Sequence, residues 1–274
     1  MALRTMNTRM RHTSVPPSPT TPNSTPAIRL NKALAQAGVC SRRAADDLIR
    51  AGRVSVNGIR ADLGTAVRPE SDDIRVDGRP IRPVTGDENL VFMLNKPVQV
   101  VTTARDPQGR PTVLDLMGKA AGPRRLFPVG RLDYFSEGLI ILTTDGELAN
   151  RLMHPRWHLP KLYRVVVREE VSEEALAAMR SGMKLAEGEE LAPVKAQIVD
   201  KDARSTTLEL ELIQGVNRQI RRMCRDLGLT ILKLSRTRLG PLSIDDLPPG
   251  KYRPLCPDEV VSLRKAVGLE PGLK

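Results

Sequence analysis

The most constraining feature of the sequence is a set of apolar and alternating segments between residues 90 and 244. Residues 90–94 and 139–142 are continuously apolar, which is typical of strands buried on both faces. Residues 161–167 and 206–213 alternate apolar and polar side chains, which predicts strands with one buried face. Helical segments occur between these strands only irregularly. The fold class that we predict is therefore α+β rather than a doubly wound α/β sheet.

A smaller unit precedes this region. Residues 28–38 and 41–52 predict two short helices, each ended by a glycine, with Ser41 as the N-cap of the second. A short strand then runs into the Asn57-Gly58 pair, which is typical of a two-residue hairpin turn. The polar residues that follow predict two further short strands.

Residues 1–27 are dominated towards their end by Pro, Ser and Thr and contain almost nothing to bury. Such a composition predicts a disordered tail. We therefore predict three parts: a tail at 1–27, a small domain at 28–87 and a larger domain at 88–274.

The charge balance indicates a polyanionic partner. The chain has a net charge of +11 and a sequence pI of about 10.0, and nucleic acid is the first candidate for such a basic protein. On charge alone, a basic protein that is merely soluble and binds no polyanion is the alternative.

The cysteine content and the apolar runs exclude further classes of protein. The three cysteines of the chain lie far apart, which argues against a disulfide framework or a zinc site. No apolar run reaches the length of a membrane helix, and a cytoplasmic location is expected.

Two arginines occupy an unusual position in the small domain. Arg42 and Arg43 lie in the first turn of the second predicted helix, where the helix dipole disfavours cations. A bound phosphate would relieve this conflict. Two solvated surface arginines are the alternative, and the local pattern leaves both open.

Residues 217–228 predict an amphipathic helix near the end of the larger domain. Ile220, Met223, Cys224 and Leu227 follow helical spacing on one face. The remaining face is basic, with Arg221 at the seam between the two.

Several common chemistries are missing from the chain. No dinucleotide-binding, P-loop or zinc-protease motif is present. His154 and His158 have helical spacing, but Pro155 and Pro160 interrupt it, so we predict no metal site. Asp133 remains, in a glycine-bounded loop between two apolar strands. Rigid strands often hold catalytic groups on such loops, although a structural ion pair with Arg131 is the more common explanation of such a local pattern.

Five segments together resemble a known family. Residues 130–139, GRLDYFSEGL, resemble the signature of the RsuA/RluB/RluE/RluF family of ribosomal RNA pseudouridine synthases, with Ser136 where Thr is more usual. The segments LNKP at 94–97, KLYRVVV at 161–167 and NRQIRRM at 217–223 resemble further family motifs in the same order. The small domain is similar to an RNA-binding domain first seen in a ribosomal protein of the S4 type.

This resemblance implies a small RNA-binding domain and a larger, mainly antiparallel catalytic domain that converts uridine to pseudouridine without a cofactor or metal. It implies that Asp133 is the catalytic carboxylate, either as a nucleophile at C1′ or as a base at C2′. Arg221 would keep this carboxylate ionised. Tyr163 would pack against the uracil or help to remove its C5 proton.

The resemblance also nominates RNA contacts. Arg131 would contact phosphate or fill the space of the extruded base, since chemistry on a base in folded RNA requires flipping it out. Lys96, Arg218 and Arg222 would bind phosphates.

The expected partner is ribosomal RNA, and the expected process is ribosome biogenesis. Three segments resemble the sequences of large-subunit synthases of the family more than those of small-subunit synthases. They are residues 217–223, 236–240 and 247–255. Two alternatives stay open: a small-subunit synthase, and a catalytically idle RNA-binding assembly factor. We expect a monomer that does not bind membranes.

Overall fold

The computed structural model describes residues 26–81, 89–120, 122 and 124–269. These residues form two compact units, one before residue 82 and one after residue 88. The predicted tail lies outside the described residues except for 26 and 27, which have no regular secondary structure. The predicted boundary between 87 and 88 also involves residues outside the described part and stays a prediction.

The first unit contains two helices and a series of short strands. They are Ile28–Arg29 (β1), Leu30–Gln36 (α1), Arg42–Arg50 (α2), Val54–Val56 (β2), Ile59–Arg60 (β3), Ala66–Val67 (β4), Ile74–Val76 (β5) and Arg79–Pro80 (β6). β1 pairs with β4, and the other strands form an antiparallel sheet in the order β3-β2-β5-β6. The helices pack on these strands through an apolar cluster that includes Leu34, Ile49 and Val54.

The two local signals predicted for this unit are confirmed. The Ser41 hydroxyl accepts a hydrogen bond from the Ala44 amide at 3.1 Å, so Ser41 is the N-cap of α2. Asn57 and Gly58 have φ values of 52° and 81°, as a two-residue hairpin turn between β2 and β3 requires.

The second unit is built on one large sheet. Its strands are Val91–Lys96 (β7), Phe127–Val129 (β8), Glu137–Thr143 (β9), Lys161–Val167 (β10), Lys195–Lys201 (β11), Thr206–Leu212 (β12), Ile231–Leu239 (β13), Leu242–Ser243 (β14) and Tyr252–Pro254 (β15). Its helices are Val113–Met117 (α3), Gly146–Met153 (α4), Glu173–Ser181 (α5), Gln219–Asp226 (α6) and Pro257–Ala266 (α7), with a 3-10 turn at Pro155–Trp157.

The sheet order is β11-β12-β10-β13-β9-β7-β15, with β14 beside β13 and β8 beside β9. Among the described strand pairs of this sheet, the pair β9–β13 is parallel and the others are antiparallel. This mixed, mainly antiparallel sheet with segregated helices confirms the predicted α+β class.

The strand patterns explain where the core lies. β9 is apolar on both faces because α3 packs on one side of the sheet and α4 with α7 on the other. β12 alternates between buried and partly exposed residues along its whole length, since α5 and α6 cover a single face of it. Three apolar clusters result, and the cavity described below lies where they meet.

Asp145, rather than the preceding Thr144, is the N-cap of α4. Its carboxylate accepts from the amides of Glu147 and Leu148 at 3.0 and 2.9 Å. Thr144 instead accepts from the Leu90 amide at 3.0 Å. The carboxylate is the better N-cap here because it also carries the charge that the helix dipole favours.

Candidate active site

The loop between β8 and β9 presents Asp133. Its backbone is held by the ammonium group of Lys96, which donates to the carbonyl oxygens of Pro97, Asp133 and Ser136 at 2.9, 3.1 and 2.7 Å. An ammonium has three N–H donors, so the three contacts match its full capacity. Lys96 therefore fixes both ends of the Asp133–Ser136 turn to the end of β7.

The phosphate role predicted for Lys96 is wrong in this structure. Its side chain is 0% exposed, and its ammonium already donates to backbone carbonyls, so no phosphate reaches it. Burial lowers the pKa of Lys96 to about 8, while the charges of Asp133 and Glu137 oppose this shift. The group thus remains largely protonated at neutral pH, as its three acceptors require.

Gly138 ends the loop and allows the sheet to close. Its φ is +109°, and a Cβ atom placed there would lie 2.3 Å from the Arg236 carbonyl oxygen. The two residues face each other in the parallel β9–β13 pair. Only glycine permits this close approach of the two backbones, which explains the glycine five residues after Asp133.

Arg221 reaches the same loop from α6. Its Nη2 donates to the Phe135 carbonyl oxygen at 2.7 Å and to the Ser136 hydroxyl at 3.0 Å. Its Nε lies 3.5 Å from Asp133 Oδ2. Burial lowers the pKa of Arg221, and Asp133 acts in the opposite direction. The guanidinium therefore both orients the loop and places a positive charge beside the carboxylate.

Arg218 adds a second cation. Its Nη1 lies 3.7 Å from Asp133 Oδ2, and its side chain is 52% exposed. The residue precedes α6 in a left-handed conformation with φ 50°. This backbone conformation is unfavourable for a non-glycine residue, and such strain is found mainly at functional sites.

Tyr163 lies on β10 with its ring partly buried. It packs against two of the three apolar clusters, the one under α5 and α6 and the one under α3. Its partners across the sheet are Arg236 on β13 and Leu210 on β12. The ring is thus supported by apolar side chains while it lines the cavity.

The structure brings the three predicted catalytic residues into one cavity of about 880 Å³. The predicted Arg131 and Arg218 line it as well, and Arg131 is exposed. Ser136 of the Asp133 loop lines it too, and further polar residues of the lining come from four segments: Thr102, His154, His158, Lys161, Gln214, Asn217, Gln219 and Arg236.

Arg222 is not available in the way that was predicted. Its guanidinium forms ion pairs with Glu187 at 3.0 Å and with Glu189, and its side chain is 16% exposed. A phosphate would have to displace both carboxylates, so the predicted phosphate contact is corrected to a structural role.

Arg42 and Arg43 belong to the first unit and are exposed there, with Arg42 Nη2 3.4 Å from Asn31 Oδ1.

His154 and His158, which have helical spacing in the sequence, are not part of a metal-like arrangement of described residues. His154 Nδ1 accepts from the Arg156 amide at 3.1 Å, and His158 has a left-handed backbone with φ 43°. Among the described residues no group of three or more potential metal ligands is found.

Within the part of the chain that the structure describes, no helix has the length and apolar character needed to cross a bilayer.

Arg236 is a further buried cation of the cavity, and no sequence motif indicated it. It is 3% exposed, and its Nε donates to the Leu139 carbonyl oxygen at 2.8 Å. A signal was available, because the alternation of β13 puts Leu234 and Arg236 on the same inward face. Charged residues are rarely buried unless they are paired, so a charged residue at an inward strand position indicates a specific role.

Two family models match the chain. The model described as RNA pseudouridylate synthase matches residues 90–226, and the S4 domain model matches residues 28–74. The first range contains all of the segments that supply Asp133, Tyr163 and Arg221.

Relatives and a solved structure cover most of the chain. It is 40% identical to ribosomal large subunit pseudouridine synthase B of Bacillus subtilis, over 86% of this chain and 95% of that protein. It is 37% identical to the dual-specificity RNA pseudouridine synthase RluF of Escherichia coli, over 88% of this chain and 80% of that protein. A crystal structure of a pseudouridylate synthase superposes with a TM-score of 0.62 at 31% identity, covering 86% of this chain and 99% of that one.

Proposed function

The chain belongs to the RNA pseudouridine synthase family, and from this premise we propose that it isomerises a uridine of large-subunit ribosomal RNA with Asp133 as the catalytic carboxylate. The observation that carries the assignment of Asp133 is its position, with a carboxylate oxygen 3.5 Å from Arg221 Nε in a cavity that Tyr163 also lines. The large-subunit target is supported by the name of the Bacillus subtilis relative.

The reaction requires a carboxylate beside the ribose. The C1′–N1 bond of the uridine breaks, the uracil turns, a C1′–C5 bond forms, and the C5 proton is finally lost while N1 gains one. Asp133 opens the sequence either by attacking C1′ or by removing the C2′ proton to give a glycal. Both routes need the ionised carboxylate, and the adjacent guanidinium favours this form.

The other lining residues fit the handling of a flipped nucleotide. Tyr163 offers a supported ring face on which the uracil can stack. Arg131 and Arg218 are exposed at the same cavity and suit the phosphates of the flanking nucleotides. Since residues of a single chain supply all of these groups, we propose that the enzyme acts as a monomer, and that it does so in the cytoplasm where ribosomal RNA is its substrate.

Mapping pseudouridines tests the proposed function. Ribosomal RNA from cells with and without this gene should differ at a large-subunit uridine, and the purified enzyme should restore it in a transcript of that region. Loss of a pseudouridine from the small-subunit RNA would contradict the large-subunit target. Identical maps, together with no pseudouridine formed in vitro, would favour an idle RNA-binding protein.

Replacing Arg221 with Ala should slow catalysis by about 10–1,000-fold and move the acidic limb of the pH–rate profile to higher pH. The reason is that the ionised carboxylate loses the charge 3.5 Å away. Arg221→Lys should recover only part of the rate, because Lys lacks the planar fork that contacts Phe135, Ser136 and Asp133 together. The pH dependence of single-turnover rates is the measurement.

Arg225→Ala is the matched control, since Arg225 lies on the same helix but pairs with Glu187 and Asp226. Its acidic limb should coincide with that of the wild type. An unshifted limb in a folded Arg221→Ala enzyme would show that Arg221 does not support the ionised carboxylate.

Replacing both Arg42 and Arg43 with Gln should weaken RNA binding without slowing the saturated reaction. Each lost phosphate contact reduces the slope of log affinity against log salt by about 0.7–0.9, so the slope should flatten by roughly 1–2 units. The saturated rate should stay constant because Asp133, Tyr163 and Arg221 lie in the other unit. RNA binding over a salt series, with single-turnover rates in enzyme excess, measures both.

The control removes the same charge from the hairpins of the first unit, at Arg60 and Arg79, which are both exposed. A salt slope that flattens equally in the control would mean that the first turn of α2 has no special role. A collapse of the saturated rate would place the first unit in the catalytic site.

A further inference from the structure

Two buried side-chain nitrogens of the described residues lack a hydrogen-bond acceptor. They are Gln219 Nε2 and Arg236 Nη2, and both residues line the cavity that contains Asp133. An unpaired buried donor costs about 1–3 kcal/mol, so such groups are rare in native proteins. Their concentration in one cavity indicates a ligand that carries hydrogen-bond acceptors.

Arg236 is the more firmly placed of the two. Its Nε donates to the Leu139 carbonyl oxygen at 2.8 Å, which fixes the plane of the guanidinium. Its neighbour on β10 is Tyr163, directly across the antiparallel pair, and side chains at such positions lie side by side on one face. On the other side it faces Gly138, whose missing side chain lets the two backbones approach closely. Among the described residues Nη2 has no acceptor, so it is a free donor on the sheet face that carries Tyr163.

The burial of Arg236 decides which part of the RNA can reach it. The residue is 3% exposed, so only a group that enters the cavity can contact it. A flipped base does so, and uracil carries two carbonyl acceptors, O2 and O4. The phosphates of the same nucleotides remain on the strand outside, where the exposed Arg131 and Arg218 are better placed for them.

The charge of Arg236 fits the chemistry of the base once it is detached. When the C1′–N1 bond breaks, the electron pair stays on N1, and conjugation spreads the negative charge to O2 and O4. A positively charged donor stabilises this charge more than it stabilises the neutral uridine.

We propose that Arg236 is a catalytic residue whose Nη2 donates to a carbonyl oxygen of the flipped uracil and stabilises the negative charge on the detached base. The inference rests on the proposed function, because it names the substrate group that the cavity receives. It adds a role that differs from the carboxylate chemistry of Asp133 and from the support of that carboxylate by Arg221.

The main consequence is a change in rate rather than in affinity. Arg236→Gln should lower the single-turnover rate at saturating enzyme by about 100-fold, with RNA affinity nearly unchanged. Arg236→Lys, which keeps the charge, should lose less. Arg238→Gln is the matched control, because Arg238 is two residues along the same strand, is exposed and pairs with Glu211; its rate should equal that of the wild type.

A chemical double-mutant cycle identifies the contacted group. Short synthetic RNAs would carry 2-thiouridine or 4-thiouridine at the target position found by mapping, since sulfur is a weaker acceptor than oxygen. One of the two thio-substrates should react more slowly than uridine with the wild-type enzyme, because its sulfur replaces the oxygen that Arg236 contacts. With Arg236→Gln this difference in rate should largely disappear, because the variant lacks the contact between Arg236 and that oxygen. If circular dichroism shows that Arg236→Gln does not fold, the penalty of the same thio-substrate should be partly reduced in Arg236→Lys.

Three outcomes would overturn the inference. Penalties that are additive for both thio-substrates would show that Arg236 does not touch the base. A weaker affinity with a flatter salt slope and an unchanged saturated rate would assign Arg236 to a phosphate. A wild-type enzyme that forms no pseudouridine in any transcript would refute the proposed function, and this inference with it; additive penalties in an active enzyme refute the inference alone.

Discussion

Replacing Asp133 with Asn should abolish pseudouridine formation and leave the fold and the RNA affinity intact. Asn has nearly the same size, and the turn around it is held by backbone contacts from Lys96 and Arg221 rather than by the carboxylate itself. The amide can neither attack C1′ nor accept the C2′ proton, so both possible routes stop at their first step. The release of tritium from C5-labelled RNA measures the reaction directly.

Asp246→Asn provides the control for this variant, because it removes the same charge from an exposed residue that does not line the cavity. Its rate should match that of the wild type. More than a few per cent of wild-type activity in a folded Asp133→Asn enzyme would contradict the assignment. Thermal melting and RNA binding curves establish that the comparison is between folded proteins.

Replacing Lys96 with Met should destabilise the catalytic unit and slow the reaction. The change keeps the length of the side chain but leaves the carbonyl oxygens of Pro97, Asp133 and Ser136 without their donor. Relief of the buried charge offsets part of this loss, and we expect a net destabilisation of about 2–4 kcal/mol, or roughly 5–15 °C in Tm. The rate at a temperature where the variant is folded should also fall, because the Asp133 turn is no longer fixed.

The pH dependence of stability separates this role from simple packing. Burial lowers the pKa of Lys96 to about 8 from 10.5, so between these two values the unfolded chain binds more protons than the folded one. Stability contributed by this group must therefore rise with pH across that window. The rise should be present in the wild type and missing from Lys96→Met. Lys251→Met, at an exposed position, should melt like the wild type and keep the rise.

The fold was largely predictable because its signals are local. The apolar runs, the alternating strands, the Ser41 cap and the Asn57-Gly58 turn each act over a few residues, and the structure confirms them. Helix α7 received no prediction because few of its residues are buried, with Leu263 the one fully buried side chain in it. Its position depends on distant contacts: Leu263 packs in the apolar cluster of β9 and α4, and Arg264 forms an ion pair with Asp145 at 2.8 Å.

The catalytic residues of the site could be predicted from the sequence, but the burial and the ion-pair partners of the basic residues around them could not. Motif resemblance nominated Asp133, Tyr163 and Arg221, and the structure brings them to one cavity. The burial of Lys96 could not be read from the strand that contains it, because the loop that covers it lies 37–40 residues further along. Arg222 was misassigned for the same reason, since its acidic partners come from a separate segment.

The parallel contact between β9 and β13 has a consequence for folding kinetics. It joins residues far apart in the chain, as the bond from Arg236 to Leu139 spans 97 positions. Contacts of such long range form slowly, because loop-closure entropy must be overcome before they contribute. β9 can pair early with β8, its neighbour in the hairpin, but the cavity gains the lining residues of β13 only when this strand inserts between β9 and β10. Catalytic competence is thus a late event in folding, and an intermediate that lacks β13 would already display Asp133 while having no enclosed site in which to use it.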